Sequence, residues 1–460
     1  MNRRQFLGTA AAAGLTACST PAPPPPATPA YGMPSRGEFL IRNAYVITMD
    51  AAGDLIGADV HVKDGAIVAA GNGIQVGPAV EILDGTGRIV LPGLIDTHWH
   101  MWNTMLRSMA GDSQEKGYFA MSPGIGREYT PADMYQGTRL AAAEAIHGGI
   151  TFVHDWSHNM RSAQHADENL RALREAGIRG RFSYGTAQGA PPTEMMNIPD
   201  VARLRTGWDK FANEGLLALG LAWRGGTSDV ARQELEAARG MGIPVSAHAG
   251  VGPTAGIADM VKAKLLGKDM QLIHAITVTP ADIKAIADAG CAVSLSPFTE
   301  LRTGFGFPKT SEFLDAGVRV GLSVDTTGLS GNADMFGIMK LIQNVENARA
   351  LSEFKLPARR VLELATIEGA RSMGVDDVTG SIAPGKRADL MVVNTRALNL
   401  AVMGDPVGMI VEAASPANVE TVVVDGRILK RDGRLTAMDQ DVVVREAAAA
   451  FEDVRKRAGW

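Results

Sequence analysis

Cysteine is almost absent from this chain: Cys18 and Cys291 are the only two in 460 residues, and only Cys291 lies beyond the N-terminal leader. No intrachain disulfide can therefore hold the body together, even in an oxidising compartment. Aromatic residues are also sparse, at 5%, while Gly and Ala are abundant. That balance excludes an aromatic-rich β-sandwich and suits an α/β enzyme with many tight turns. Net charge is −5 with both signs mixed, so no broad basic surface for nucleic acid is expected. After residue 20 no apolar run approaches the ~20 residues that span a bilayer. What the chain does have is 46% hydrophobic residues, enough for a large core and more than one minimal domain.

The N-terminus reads as an address. Arg3 and Arg4 precede Phe6 and Leu7, a weakly apolar stretch follows to Ala17, and Leu15 to Cys18 spell LTAC. The first feature resembles a twin-arginine export signal, the second a lipoprotein cleavage box with Cys18 as the acylated residue. Residues 1–18 are thus expected to be the signal, and Pro-rich residues 19–37 a tether. The expected location is the periplasmic side of the cell envelope, with the membrane touched only through a lipid on Cys18. Export of a folded protein suits one that must acquire a metal first. Homo-oligomerisation stays open.

Residues 38–90 alternate short strands with Gly-Asp and Asp-Gly turns, and the same texture returns over 376–440. Both stretches are expected to build one composite β-domain, with a C-terminal helix over 441–460. Between them, 91–375 alternates apolar runs with helical patterns. The runs fall at 89–95, 149–155, 180–185, 216–222, 243–248, 271–274, 291–296 and 318–325. Eight β-then-α units predict a (β/α)8 barrel with active residues at the strand C-termini. Thr279 reads as an N-cap and Gly290 as a helix stop, and a third helix is expected around 199–213.

The chain has nine histidines, and they gather at strand ends. Strand 1 closes in "LIDTHWH", with His98 and His100 spaced to face the same way. Strand 5 closes in His248, strand 6 in His274 and strand 8 in Asp325. Neutral imidazoles with one carboxylate suit a divalent transition metal, and an open position for water makes the arrangement hydrolytic. Taken singly, each His could be a packing residue, and Asp325 could cap the next helix. His154 and His158 flank strand 2 and are not expected to bind metal; His61, His147 and His165 read as surface or packing residues.

"PGLIDTHWH", the later His and Asp strand ends, and "LELATIEGARSMG…GSIAPGKRADLMVVN" together resemble the amidohydrolase superfamily over roughly residues 38–435. The nearest branch is the triazine-hydrolase and cytosine-deaminase-like group, which carries one metal. The resemblance implies His98, His100, His248 and Asp325 as ligands of one ion, zinc first and Fe(II) or Mn next, with His274 steering the attacking water. It also implies a hydrolase of non-peptide C–N bonds in a cyclic amide, amidine or amino-heterocycle. Strand 4 ends in Trp223 and Arg224 without the Lys that binuclear relatives need, which argues for a single metal.

Asp325 is expected to accept the proton of the attacking water, and His274 to stabilise the developing charge. One departure stands out. Deaminase-like members place a Glu three residues after the strand-5 His, whereas this chain reads His248, Ala249, Gly250, Val251. Valine moves no proton, which weakens a purine or aminopyrimidine deaminase reading. Glu300 is the candidate replacement, against the alternative of a salt bridge to Arg302. Trp102, Trp156, His158, Trp223 and Arg224 form a candidate substrate pocket, with Arg224 gripping a carboxylate or carbonyl. The competing readings are a hydrolase that displaces halide or alkylamine from a heteroaromatic ring or opens a lactone, and a non-catalytic binding lipoprotein.

Overall fold

The computed structural model describes residues 32–251 and 256–460, so the expected signal and most of the tether lie outside the described residues. Nine strands from the two ends of the body form one sheet. Phe39–Val46, Leu55–Lys63, Ala66–Gly71, Glu81–Asp84 and Arg88–Pro92 come from the N-terminal side; Leu390–Asn394, Val419–Val424, Arg427–Arg431 and Arg434–Leu435 come from the C-terminal side. The two groups join where Arg88–Pro92 runs antiparallel to Leu390–Asn394. Asp-Gly pairs make the hairpins: Asp64 and Gly65 have φ of 50° and 83°, and Asp425 and Gly426 have 54° and 72°. Two consecutive positive φ values are what a tight antiparallel hairpin requires.

The middle of the chain folds into eight parallel barrel strands in sequence order: Leu94–Trp99, Ile150–Met160, Arg179–Thr186, Leu217–Trp223, Val245–Ala249, Met270–His274, Ala292–Leu295 and Arg319–Leu322. The last returns to the first through a bridge between Trp99 and Asp325. The expected (β/α)8 barrel with a second, β-rich sheet is the observed architecture. Helices follow the strands, and that at Pro280–Asp288 starts on a Thr279 capping box. The third helix is shorter than expected, Ile198–Thr206, because the chain breaks at Gly207 before a single turn at Trp208–Lys210. A longer helix, Gln440–Ala458, ends the chain. Among the described residues no helix is long and apolar enough to cross a membrane.

Sheet and barrel are fused by a continuous extended segment. Arg88–Pro92 ends the sheet and Leu94–Trp99 starts the barrel, with Gly93 between them. A Cβ on Gly93 would lie 2.1 Å from the Thr151 side chain, so only glycine lets strand 1 approach strand 2 here. A buried ion cluster makes a second seam. Arg179, at the start of barrel strand 3, bonds Asp389 through two nitrogens and reaches Asp425 at 3.4 Å. Asp389 is fully buried and also accepts the Asp425 backbone N–H at 2.7 Å. Replacing Arg179 by Met strands a carboxylate in the interior, and chemical denaturation is expected to show a loss of about 3–5 kcal/mol. An unchanged midpoint would remove this seam from the account of stability.

Candidate active site

The N-terminal strand of the barrel carries its own registration device. Asp96 is buried; one oxygen accepts the His98 backbone N–H at 3.1 Å and the other accepts the Val324 N–H at 2.7 Å. The Asp325 N–H then donates to the His98 carbonyl at 2.9 Å, and the His100 N–H donates to the Asp325 carbonyl at 2.6 Å. Three of these bonds lock the end of strand 1 to the segment following strand 8, fixing His98, His100 and Asp325 relative to one another.

The side chains converge. His98 Nε2 lies 3.0 Å and His100 Nε2 3.3 Å from the same atom, Asp325 Oδ1. The His248 ring stacks against His100 with centroids 5.4 Å apart and lies 4.9 Å from that of His98. One ligating atom from each of His98, His100, His248 and Asp325 falls within 4.8 Å of all the others. Three imidazoles and one carboxylate this close together are the donor types that would hold a single divalent ion at ~2.0–2.2 Å from each. The electrostatics of the set fit as well. Burial pulls the His98 imidazole down to about 3, and burial followed by the neighbouring imidazoles pulls His248 well below its usual value. Burial alone would push the Asp325 carboxyl up, but His100 and His98 hold it well below the usual carboxylate range. Neutral imidazoles beside an ionised carboxylate are the protonation states a metal needs. His100 donates its Nδ1–H to the Trp156 carbonyl at 3.0 Å, which leaves Nε2 as the ligating nitrogen.

Asp325 is not a helix cap: the hydroxyl of Thr326 caps the following turn, Thr327–Ser330. His274 stands beside the donor set with its Nδ1 3.1 Å from Glu300 Oε1, so Nε2 is left for the cavity. Burial pulls this imidazole down, and Glu300 and Asp325 together more than offset that, raising it above its ordinary value. His154 is satisfied inside the barrel by the Thr97 carbonyl and Ser183 Oγ, each at 2.8 Å, and joins no ligand set. His61 pairs with Glu38, and His165 packs between Ser162 and the Tyr129 carbonyl.

A cavity of about 420 Å³ opens above the donors. Its wall is largely aromatic and aliphatic: Tyr118, Phe119, Trp156, Val251, Phe305 and Leu329. Gln188, Thr299, His158 and Arg224 add polar groups. Of the expected pocket residues, Trp156, His158 and Arg224 reach this wall. Trp223 does not. It is fully buried on the outer side of its strand, where Nε1 donates to the Ala231 carbonyl at 2.9 Å. Trp102 is also buried and acts one step back, donating to His158 Nδ1 at 3.3 Å. Arg224 is not a free cation; its guanidinium is engaged by the Pro191 and Glu194 carbonyls and by Glu234. Glu300 forms no bridge to Arg302, which donates to the Leu329 carbonyl, and it stands behind His274 rather than on the cavity wall. Thr299 went unrecognised in the sequence. Its hydroxyl is buried without a hydrogen-bond partner at the cavity wall, and no spacing rule singles out one threonine in a short helix.

The sequence profile of the amidohydrolase family matches residues 89–429. The chain belongs to that family and is a hydrolase acting on carbon–nitrogen bonds other than peptide bonds. Among curated relatives, the 5'-deoxyadenosine deaminase of Methanosarcina mazei is 28% identical, covering 91% of this chain and 99% of the relative. The 5-methylthioadenosine/S-adenosylhomocysteine deaminase of Acetivibrio thermocellus is 28% identical over 88% of this chain and 96% of its own. Solved structures that share the fold include the following two. A zinc-bound adenosine deaminase from Xanthomonas campestris has a TM-score of 0.80 at 23% identity, covering 92% of this chain and all of its own. Atrazine chlorohydrolase from Arthrobacter aurescens, complexed with zinc, has a TM-score of 0.80 at 24% identity, covering 90% and 100%.

Substituting His248 or Asp325 by Ala is expected to drop bound metal in the purified protein at least about tenfold, as measured by elemental mass spectrometry. His154→Asn is expected to keep its metal. Equal metal loss in all three variants would mean that the ion sits elsewhere.

Proposed function

We propose that this protein uses one divalent metal, zinc, to hydrolyse a C–N bond of a small, neutral, flat heterocycle, cyclic amide or amidine. The observation that carries this reading is the convergence of His98, His100, His248 and Asp325 beside a cavity in which Arg224, the one strongly basic side chain on the described wall, is already neutralised by Glu234. When bound there, the ion would supply a water activated near neutral pH. Asp325, adjoining that water, is suited to hold it through a hydrogen bond. His274 Nε2 orients the water and stabilises charge on the substrate. Trp156, Tyr118 and Phe305 offer faces and edges to a planar ring. An apolar wall of this kind excludes bulk water and strengthens each of these polar contacts.

The relatives named as deaminases of adenosine-type compounds support an amino-heterocycle as substrate class. Val251 at the end of the strand-5 motif separates this chain from a scheme that relies on a Glu there, and it favours a second reading in which the leaving group is halide or alkylamine on a heteroaromatic ring. The two diverge in what is released. Purified protein reconstituted with zinc is expected to bind about one equivalent and to release ammonia from a heterocycle panel, with turnover lost on chelation. Chloride or alkylamine release without ammonia release would establish the second reading. Metal content below about a tenth of an equivalent would leave a binding lipoprotein.

We further propose that the chain is exported and anchored to the periplasmic side of the envelope by lipid on Cys18, which the Arg3-Arg4 pair and the LTAC box support. Cys18→Ser is expected to move the protein from the detergent phase to the aqueous phase in a phase-partition assay. Identical partitioning of both forms would overturn the anchor.

A further inference from the structure

Hydrolysis of a C–N bond needs a group that takes a proton from water and another, or the same one, that delivers a proton to the departing nitrogen. The strand-5 segment ends His248, Ala249, Gly250, Val251, and Val251 lines the cavity, so no carboxyl stands there. Asp325 Oδ1 is already shared between the nitrogens of His98 and His100. His158 lies on the wall with Trp102 behind it, and among the described residues no carboxylate bonds its ring. His274 has such support.

Glu300 is 0% exposed on the short helix Pro297–Arg302. Its Oε1 accepts from His274 Nδ1 at 3.1 Å and from the Ser296 N–H at 2.8 Å, and its Oε2 has no hydrogen-bond partner. Among the described residues no Lys or Arg forms an ion pair with it, and His274 is its one charged partner. A carboxylate buried at this cost, with one imidazole in front of it, has a defined chemical effect. It keeps the imidazole protonated on Nδ1, presents Nε2 to the cavity, and stabilises the positive charge when Nε2 gains a proton.

We infer that His274 is the proton shuttle of this enzyme and Glu300 its positioning residue, together replacing the acid that the strand-5 segment lacks. The inference rests on the C–N hydrolase reading above. As the water oxygen bonds to the substrate carbon, one water proton moves to His274 Nε2. The C–N bond then breaks with its electron pair going to nitrogen, and the nitrogen takes the proton from Nε2. The amine leaves neutral and His274 returns to its starting state. Glu300 touches no reacting atom.

Chloride departs as a stable anion and needs no proton, whereas an amine does. Zinc-loaded wild type and Glu300→Gln are therefore compared on two matched pairs: adenosine with 6-chloropurine riboside, and a 2-amino with a 2-chloro dialkylamino-triazine. Glu300→Gln is expected to lower kcat/KM for the amine-releasing member at least about 100-fold, mainly in kcat, with metal content unchanged. The loss on the chloride member is expected to be at least tenfold smaller. Val251→Glu in the Glu300→Gln background is expected to return much of the lost amine release. Independently of turnover, nitrogen-15 NMR of the holoenzyme is expected to show His274 protonated on Nδ1, a preference lost in Glu300→Leu. Equal losses on both members of a pair, or His274 protonated on Nε2 in the wild type, would overturn the inference. A wild-type enzyme that releases only chloride ends the C–N reading, and the NMR result then still decides whether Glu300 positions His274.

Discussion

One carboxylate oxygen links the chemistry of this protein to the closure of its barrel. Asp325 Oδ1 faces the Nε2 atoms of His98 and His100, while the Asp325 backbone bonds to the same strand end through His98 and His100. Strand 8 would otherwise stop at Leu322. The barrel is completed by the residue that also carries the ligand, so the separation of the donors is not free to vary independently of the fold. Asp96 reinforces this from below by bonding to both strands. A displaced ligand would therefore cost main-chain hydrogen bonds as well as metal affinity, and this is how a rigid scaffold preorganises a site.

Backbone strain is distributed in step with function. His98, His100 and His248 keep negative φ, whereas His274 and Asp325 have φ of 69° and 62°. A non-glycine residue in the left-handed region costs of order 1–3 kcal/mol and persists only where its surroundings over-determine it. At Asp325 those surroundings are the strand 1 bonds. At His274 they are the bond to Glu300 and the following segment, where Ala275, itself at 47°, donates to the Ala249 carbonyl at 3.0 Å. Both strained residues lie at the catalytic end of the barrel, with side chains on the cavity wall.

Much of this arrangement was legible because period-2 geometry leaves few choices at a strand end. His98 and His100 must share a side, and His248, His274 and Asp325 each close an apolar run. The same rule fails at Trp223. Parallel barrel strands are buried on both faces, so the apolar run "LALGLAW" does not say which alternate residues point inward. Ala222 does, packing with Trp156 and Ile273, and Trp223, one residue later, must point outward to the helix Asp229–Gly240. Strand 2 runs on to Met160, five residues beyond its expected end, which carries Trp156 and His158 up to the cavity. Arg224 was recognisable as a cation at a strand end, but its neutralisation depends on Glu234, ten residues away on a helix whose rotation no pattern specifies.

Glu300 shows how a residue can be sought for the right chemistry and still be misplaced. A carboxylate just after strand 7 lies at the catalytic end of the barrel, yet its position relative to the cavity depends on how the chain turns at Pro297. Because a helix starts there at once, Glu300 folds back to bond the Ser296 N–H and reaches the cavity only through the His274 ring. Burial pushes the Glu300 carboxyl up, while His274 and the Ser296 N–H pull against that rise. On the other side of the same bond, Glu300 raises His274. The two groups act as one coupled pair: the Nδ1 proton stays facing Glu300, and the ring gains positive charge on its cavity side when Nε2 takes a proton. In the apolar surroundings built by Val251, Phe305 and Leu329, that response has little competing water to screen it.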